Sequence, residues 1–194
     1  MTQGRRSAGR NTQLSAEDWI EVGYTILAED GLKQIKIDTL CDRIGATRGS
    51  FYWHFKDIAA YKHALVTRWG EWNDEEHKNF DELEQLPPRE RLLRLITQLT
   101  SPRHWMLERA MREWARTDPH AATAVRTSDR RAHHAVRRCL LAHGLDPDTA
   151  AVRADWIMAM GIGALHLSTS KEDGAAAAHH GDQLVDMMLD YRTT

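Results

Sequence analysis

The sequence predicts an all-α protein of about nine helices, with an N-terminal three-helix unit that contains a helix-turn-helix and a larger C-terminal helical bundle. Two observations predict this class. Apolar residues recur at helical spacing through nearly the whole chain, and strand-like alternation is confined to Ile35–Ile37. Proline directly follows Ser or Asp at three places, a pattern typical of a helix start. The 194 residues are enough to bury a core.

The first helix has both of its ends marked in the sequence. Ser15 is a candidate N-cap, and the acidic residues Glu17 and Asp18 that follow suit the positive end of a helix dipole. Gly31 stands where a helix commonly ends. Between these ends lies one apolar stripe at helical spacing, formed by Trp19, Ile20, Gly23, Tyr24 and Leu27.

The next segment, residues 37–55, reads as two short helices joined by a tight turn. Its first helix has one apolar face, and Gly45 permits the positive φ that the turn requires. Thr47 is placed to cap the second helix, whose first turn would point polar groups outward. Phe51 returns to the core and Phe55 closes the helix end. The apolar face consists of Ile37, Leu40, Cys41 and Ile44.

The later helices are placed by their capping residues. Asp57 caps a long helix that runs to about Phe80, and a further helix begins at Pro88 or Arg89. The last helix runs from about Ala175. Between them, helices begin at Ser101-Pro102, at Asp118-Pro119 (residues 119–143, ended by Gly144) and at Asp146-Pro147.

Composition excludes several classes of protein. Apolar residues at 42% and charged residues at 28% are ordinary for a globular chain, and no apolar run could span a bilayer. The polar start of the chain does not have the pattern of a signal peptide, so we expect a cytoplasmic protein without a membrane partner. Only Cys41 and Cys139 are present, which argues against a disulfide framework or a CxxC zinc site.

Charge is unevenly distributed between the two parts of the chain. The formal net charge is −2, but the first 70 residues hold ten Lys/Arg against eight Asp/Glu. This N-terminal part is therefore only mildly basic. Any nucleic-acid binding would depend on where individual cations lie rather than on a general positive surface.

The pattern I-x-x-L-x-x-x-I-G-x-T-x-G-S-F-Y-x-H-F over residues 37–55 resembles the DNA-binding signature of the TetR family of bacterial transcriptional regulators. The resemblance is specific over about residues 15–66. It implies a flexible basic arm (1–14), a DNA-binding domain (15–56) and an effector-binding and dimerisation domain (57–194). Arginines of the arm would reach an adjacent minor groove; they are Arg5, Arg6 and Arg10.

The resemblance also implies DNA contacts. The groove-facing positions are Thr47, Arg48, Gly49, Ser50 and Trp53, and the phosphate-binding positions are Tyr52, His54 and Lys56. Lys36 is a further candidate DNA contact. Arg48 is the candidate for reading a guanine edge. The chain departs from the family at Lys36, where a Ser or Thr cap is usual and Asp38 would cap from inside. It departs again at Ile58, where a basic residue is usual, and Trp53 occupies a variable position.

Large adaptable side chains in the C-terminal part suggest an effector pocket, although each one taken singly fits a plain core as well. The candidates are Trp69, Trp72, Trp105, Met106, Glu108, Met111, Trp114, Trp156 and Met160. The last two helices suit a dimer interface or, alternatively, closure of the monomer's own core. The interface candidates are Trp156, Met160, Gly163, Leu167, Leu184, Met188 and Tyr191.

Two pairs at i, i+4 spacing, His133 with Asp129 and His104 with Glu108, could ligate a metal but have no third ligand at a motif distance. Cys139 lies among arginines, yet an inert buried thiol is favoured over a redox sensor. We therefore expect no metal, no cofactor and no catalytic residue. The alternatives are an all-α metalloenzyme and a protein that works through protein–protein contacts.

The predicted function is a homodimeric, ligand-responsive transcriptional repressor. It would bind a pseudo-palindromic double-stranded operator and be released by a small-molecule effector. The long helix that follows Asp57 would act as the lever between the effector site and the DNA-binding helices.

Overall fold

The computed structural model describes residues 14–82, 85–99, 102–167 and 181–190. Within these ranges the chain forms nine α-helices and no strand. They are α1 (Ala16–Asp30), α2 (Ile37–Ile44), α3 (Arg48–His54), α4 (Ile58–Glu82), α5 (Pro88–Leu99), α6 (Pro102–Trp114), α7 (Pro119–Ala142), α8 (Pro147–Leu167) and α9 (Gly181–Asp190). The all-α class is thereby confirmed. None of the described helices combines the length and apolar character needed to cross a membrane.

Capping side chains define the starts of α1, α4, α7 and α8 at the residues that the sequence predicts. Ser15 and Asp18 form a reciprocal capping box at the start of α1, and Gly31 ends that helix with a φ of 80°. Aspartates cap three other helices: Asp57 accepts from the Ala60 amide at 2.7 Å, Asp118 from Ala121 at 2.9 Å and Asp146 from Thr149 at 3.0 Å. The predicted start of the last helix at Ala175 lies outside the described residues.

The start of α2 differs from the prediction. Lys36 has extended backbone and makes no side-chain capping hydrogen bond. The Asp38 carboxylate, which was expected to cap this helix from inside, instead accepts hydrogen bonds from Arg48. The reason is geometric, since the turn after α2 brings α3 back alongside its first turn.

The first of two apolar cores joins the N-terminal helices to the rest of the molecule. It contains Trp19 and Ile26 from α1, Phe51 from α3 and Trp69 from α4. Members from α6 and α7 complete it, namely Met111, Trp114, Ala121 and Val125. The core is therefore continuous across the predicted domain boundary at residue 56.

The second core lies at the other end of the bundle, between α5, α7, α8 and α9. Its fully buried members include Leu92, Leu140 and Val185. Helix α7 contributes to both cores, with Val125 in the first and Val136 in the second. It therefore connects the two ends of the molecule.

Helix α1 packs very closely on α4. The Tyr61 hydroxyl donates to the Trp19 carbonyl oxygen at 2.6 Å, and the Tyr24 hydroxyl donates to the Leu65 carbonyl oxygen at 3.0 Å. Burial raises the pKa of both phenols far above the usual value, so both remain neutral donors. Gly23 makes the approach possible, because a Cβ at that position would lie 2.0 Å from the Tyr61 hydroxyl oxygen.

This contact yields a stability prediction. Gly23→Ala should lower the free energy of unfolding by about 1–3 kcal/mol, because the added methyl displaces Tyr61. The matched control is Gly70→Ala in α4, where a Cβ meets no atom within 4 Å; it should raise stability by about 0.5–1 kcal/mol. Urea unfolding followed by circular dichroism measures both. Equal effects of the two substitutions would contradict this account of the α1–α4 contact.

Candidate nucleic-acid interface

The turn between α2 and α3 sets the direction of α3. Gly45 adopts the left-handed conformation at φ 71° and ψ 36°, and the Ala46 amide donates to the Cys41 carbonyl at 3.0 Å. Thr47 then caps α3, its hydroxyl accepting from the Ser50 amide at 3.2 Å. Both the positive φ of the glycine and the Thr cap confirm the sequence prediction.

One side chain, Phe51, anchors α3 to the core. It is completely buried, and its ring centroid lies 5.5 Å from each of Trp19, Phe55 and Tyr61. The edge-to-face packing against Trp19 is a favourable aromatic geometry. The opposite face of this seven-residue helix is consequently turned away from the protein.

That outward face combines polar and aromatic side chains. Trp53 is 76% exposed and Tyr52 is 54% exposed. Thr47, Arg48 and Gly49 are exposed beside them. Two large aromatic side chains left in water on a short helix indicate a surface that binds another molecule.

The cations around α3 differ in their partners. Arg48 makes a two-pronged ion pair with Asp38, its Nε and Nη2 each donating at 2.7 Å, which raises the pKa of the guanidinium. Arg43 is held by Glu29 and Asp30 at the end of α1. Lys36 and Lys56 are exposed and, among the described residues, form no ion pair within 4.0 Å.

His54 and Ile58 face the protein rather than solvent. The half-buried His54 has its Nε2 atom 2.8 Å from the Leu14 carbonyl oxygen. Because a carbonyl only accepts, Nε2 carries the hydrogen, and in this conformation that donor serves the chain segment before α1 rather than a phosphate. Ile58 packs against the first core at the start of α4, which accounts for an apolar residue there.

Solved structures of transcriptional regulators have a similar architecture. No family model matches the sequence, and no curated protein matches it. Among solved structures, a transcriptional regulator from Rhodococcus sp. Rha1 matches with a TM-score of 0.70 at 18% identity, over 91% of this chain and 97% of that one. A regulator of the TetR/AcrR family from Thermobifida fusca YX-ER1 matches with a TM-score of 0.65 at 19% identity, over 92% and 98%. A chain from Saccharomonospora viridis, solved in complex with choline, gives 0.68 at 16% identity, over 91% and 96%.

The chain has the TetR fold. Its helix-turn-helix corresponds to α2 and α3, and its C-terminal bundle is built by the helices from α4 onward. At these identities the likeness is one of fold, and the function has to be argued from the residues.

Within the TetR fold, the predicted pocket residues do not form one group. Trp69, Met111 and Trp114 are buried in the first core, with Trp72 half-buried against it. The other candidates differ in their burial. Trp105 is buried beneath the Arg109 guanidinium, Met106 is half-buried, and Trp156 and Met160 are exposed.

Glu108, the polar candidate, belongs to a buried ion-pair network. Arg112 donates to Glu108 at 2.8 Å and to Asp129 of α7 at 2.5 Å and 3.1 Å. Burial raises the pKa of Glu108, and the arginine partly opposes this shift. The network fastens α6 to α7, which is a structural role.

A groove of about 270 Å³ opens between α4 and α7. Asn73 lies buried at its base, where its side chain donates to the Trp69 carbonyl at 2.8 Å and accepts from Ser128 at 3.3 Å. The other lining residues are Val66, Thr67, Gly70, Glu71, Asp74, His120, Thr123, Ala124 and Thr127. This groove is not predictable from the sequence, because its polar residues lie on two helices far apart in the chain. The only local signal is a polar Asn at a core-facing position of α4.

The predicted dimer residues do not share one surface, since some are exposed on α8 and others belong to the second core. Trp156, Met160 and Leu167 are exposed along α8, and Val152 extends their stripe by one helical turn. Met188 instead lies in the second core, with the half-buried Leu184 packed against it. Gly163 is half-buried, with open space where a Cβ would lie. Tyr191 lies outside the described residues.

The side chains considered as possible metal ligands, and Cys139, have other roles in the described structure. His133 contacts Asp155 at 2.9 Å, and Asp129 belongs to the Arg112 network. In the described ranges, no three His, Cys, Asp or Glu side chains are grouped so as to hold a metal. Cys139 is buried, and burial raises the pKa of its thiol despite the nearby Arg91. The side chain of His104 lies outside the described residues.

Proposed function

We propose that this protein is a sequence-specific DNA-binding transcriptional regulator that acts as a homodimer. The observation that carries the proposal is the two-sided character of α3. Phe51 fixes one side of the helix in the core, while Arg48, Tyr52 and Trp53 project from the other. A helix presented in this way, after a tight glycine turn, fits the major groove of B-DNA.

Each exposed side chain has a chemical role in this proposal. Arg48 reads the O6 and N7 acceptors of a guanine, and the Tyr52 hydroxyl donates to a phosphate. Lys36 and Lys56, both exposed, neutralise phosphates at either end of the motif. Few cations of the described residues take part, so well-placed contacts must supply much of the affinity of this motif for DNA.

Binding of two copies to one DNA site supplies the affinity for DNA that the contacts of a single copy do not provide. The stripe of Val152, Trp156, Met160 and Leu167 leaves apolar surface in water on α8, with Met187 of α9 also exposed. A two-fold contact between such stripes buries the same surface on both copies. It would place the two α3 helices about 34 Å apart, one turn of DNA, on a pseudo-palindromic site.

We further propose that a small polar effector binds the α4–α7 groove and lowers operator affinity, so that the protein acts as a repressor. The position of α4, between the groove and α1, supports this proposal. Helix α4 forms one wall of the groove and is hydrogen-bonded to α1 by Tyr61 and Tyr24. A shift of α4 would therefore move the DNA-binding helices, and the coupling needed is only about 1–3 kcal/mol. The Saccharomonospora viridis chain of similar fold was solved in complex with choline, which supports a small polar effector for this chain.

The DNA-binding proposal is tested by selection from a random duplex library with the purified full chain at physiological salt. We expect a pseudo-palindromic sequence to be enriched, and fluorescence polarisation on that sequence then gives its affinity. Failure to enrich any sequence would refute sequence-specific binding.

Two substitutions on α3 should have different effects on binding. Arg48→Ala should remove the preference at one base pair of each half-site, worth about 1–3 kcal/mol. Tyr52→Phe should weaken binding to all sequences by about 1 kcal/mol, because a phosphate hydrogen bond has no sequence content. Polarisation titrations against the selected site and its single-base variants separate the two patterns. A uniform loss in Arg48→Ala would exclude base reading by this arginine.

The dimer proposal predicts that Trp156→Asp weakens self-association by about 2 kcal/mol or more, since it places a charge in the apolar contact. Trp53→Asp is the matched control, because it alters another exposed Trp, on α3, and should leave the dimer intact. Analytical ultracentrifugation gives the association constants. An unchanged dimer in Trp156→Asp, or a monomeric unmodified chain, would rule out this interface.

The effector site is tested by filling the groove. Gly70→Leu places a side chain where a Cβ meets no atom within 4 Å, so the fold should tolerate it. Operator complexes are titrated with small polar metabolites, choline among them, and release is followed by polarisation. A compound that releases the unmodified chain and Gly70→Ala should lose most of its effect on Gly70→Leu. Equal release of all three would place the effector site elsewhere.

A further inference from the structure

The ion pair between Arg48 and Asp38 joins the first turns of α3 and α2. The Arg48 Nε donates to one carboxylate oxygen at 2.7 Å, and Nη2 donates to the other at 2.7 Å. Such a two-pronged pair fixes the plane of the guanidinium as well as its position. The side chains remain 66% and 65% exposed, so the pair lies at the surface beside the outward face of α3.

This arrangement leaves a specific part of the arginine available. A guanidinium has five N–H donors, and Asp38 occupies two of them along the Nε–Nη2 edge. The three that remain belong to the terminal nitrogens Nη1 and Nη2. Those two nitrogens form the fork that matches the O6 and N7 acceptors of guanine.

We propose that Asp38 is a positioning residue for base recognition, which holds Arg48 so that its terminal N–H fork is presented to a guanine. The proposal rests on the DNA-binding function proposed above and deepens it. Asp38 itself need not touch DNA. Its action is to restrict a long, flexible side chain before DNA arrives, so that less freedom is lost on binding.

Folding stability does not explain the pair. Exposed ion pairs contribute little to stability, because water screens both charges. A carboxylate beside a DNA-binding helix also repels phosphates, so Asp38 lowers the attraction of this surface for DNA of any sequence. If Asp38 is a positioning residue, its removal should lower the preference for guanine while the affinity for DNA of any sequence stays equal or increases. If its role is purely structural, its removal should lower both quantities.

The experiment compares Asp38→Asn and Asp38→Ala with the unmodified chain on the selected DNA site. Arg48→Ala first identifies the guanine that this arginine reads. Affinities are then measured for that site, for the site with this guanine replaced, and for random duplex. The matched control is Asp42→Asn, which removes the same charge one turn further along α2, where the residue is also exposed.

We expect the preference for guanine to fall by about tenfold in Asp38→Ala and in Asp38→Asn, as part of the discrimination that a well-oriented arginine provides. Affinity for random duplex should stay equal or increase in both variants. Asp42→Asn should strengthen random binding similarly and keep the full guanine preference. In an Arg48→Ala background, Asp38→Ala should no longer change base preference, because Asp38 acts through Arg48.

Two results would overturn the proposal. One is full guanine preference in both Asp38 variants, with thermal unfolding showing that they are folded. The other is an equal change in preference with and without Arg48. If the unmodified chain enriches no sequence at all, the proposed function itself fails, which is distinguishable because Asp38 then has no preference to alter.

Discussion

Tyr61 is the side chain on which the relation between the N-terminal helices and the bundle depends. Its ring packs against Phe51 of α3 and against Phe55, the residue that follows α3, and its hydroxyl donates to the Trp19 carbonyl of α1 at 2.6 Å. Gly23 leaves the space that this hydroxyl occupies. One residue of α4 thus contacts both α1 and α3, so the position of α4 is coupled to that of the exposed face of α3.

The electrostatics of that surface favour selectivity over general attraction. Of its arginines, Arg43 is neutralised by Glu29 and Asp30, and Arg48 is paired with Asp38. Non-specific binding to DNA depends on unneutralised cations, and few of the cations on the described part of this surface are unneutralised. For the function proposed above, such a surface would have to rely on the fit of α3 to particular base edges and on two copies binding together.

Helix α7 gives the bundle its continuity. It contributes Val125 to one core and Val136 to the other, and it forms the wall of the groove opposite α4. The Arg112–Asp129 pair ties it to α6, and an Arg131–Asp74 pair ties it to α4. The groove therefore lies between α4, which belongs to the first core, and α7, which has residues in both cores.

The sequence by itself determined the capped helix starts, that of α2 excepted, and the turn at Gly45, because capping and positive φ depend on residues within about four positions of one another. It also determined which face of α3 is buried, through Phe51. Only the tertiary structure decided which tryptophans are core and which are surface, as Trp69 and Trp156 show, since both lie on helical stripes in the sequence. The tertiary structure alone also decided the Asp38–Arg48 pair and the α4–α7 groove. Each brings together residues of two separate helices, and the spacing of those residues along the chain does not predict the contact.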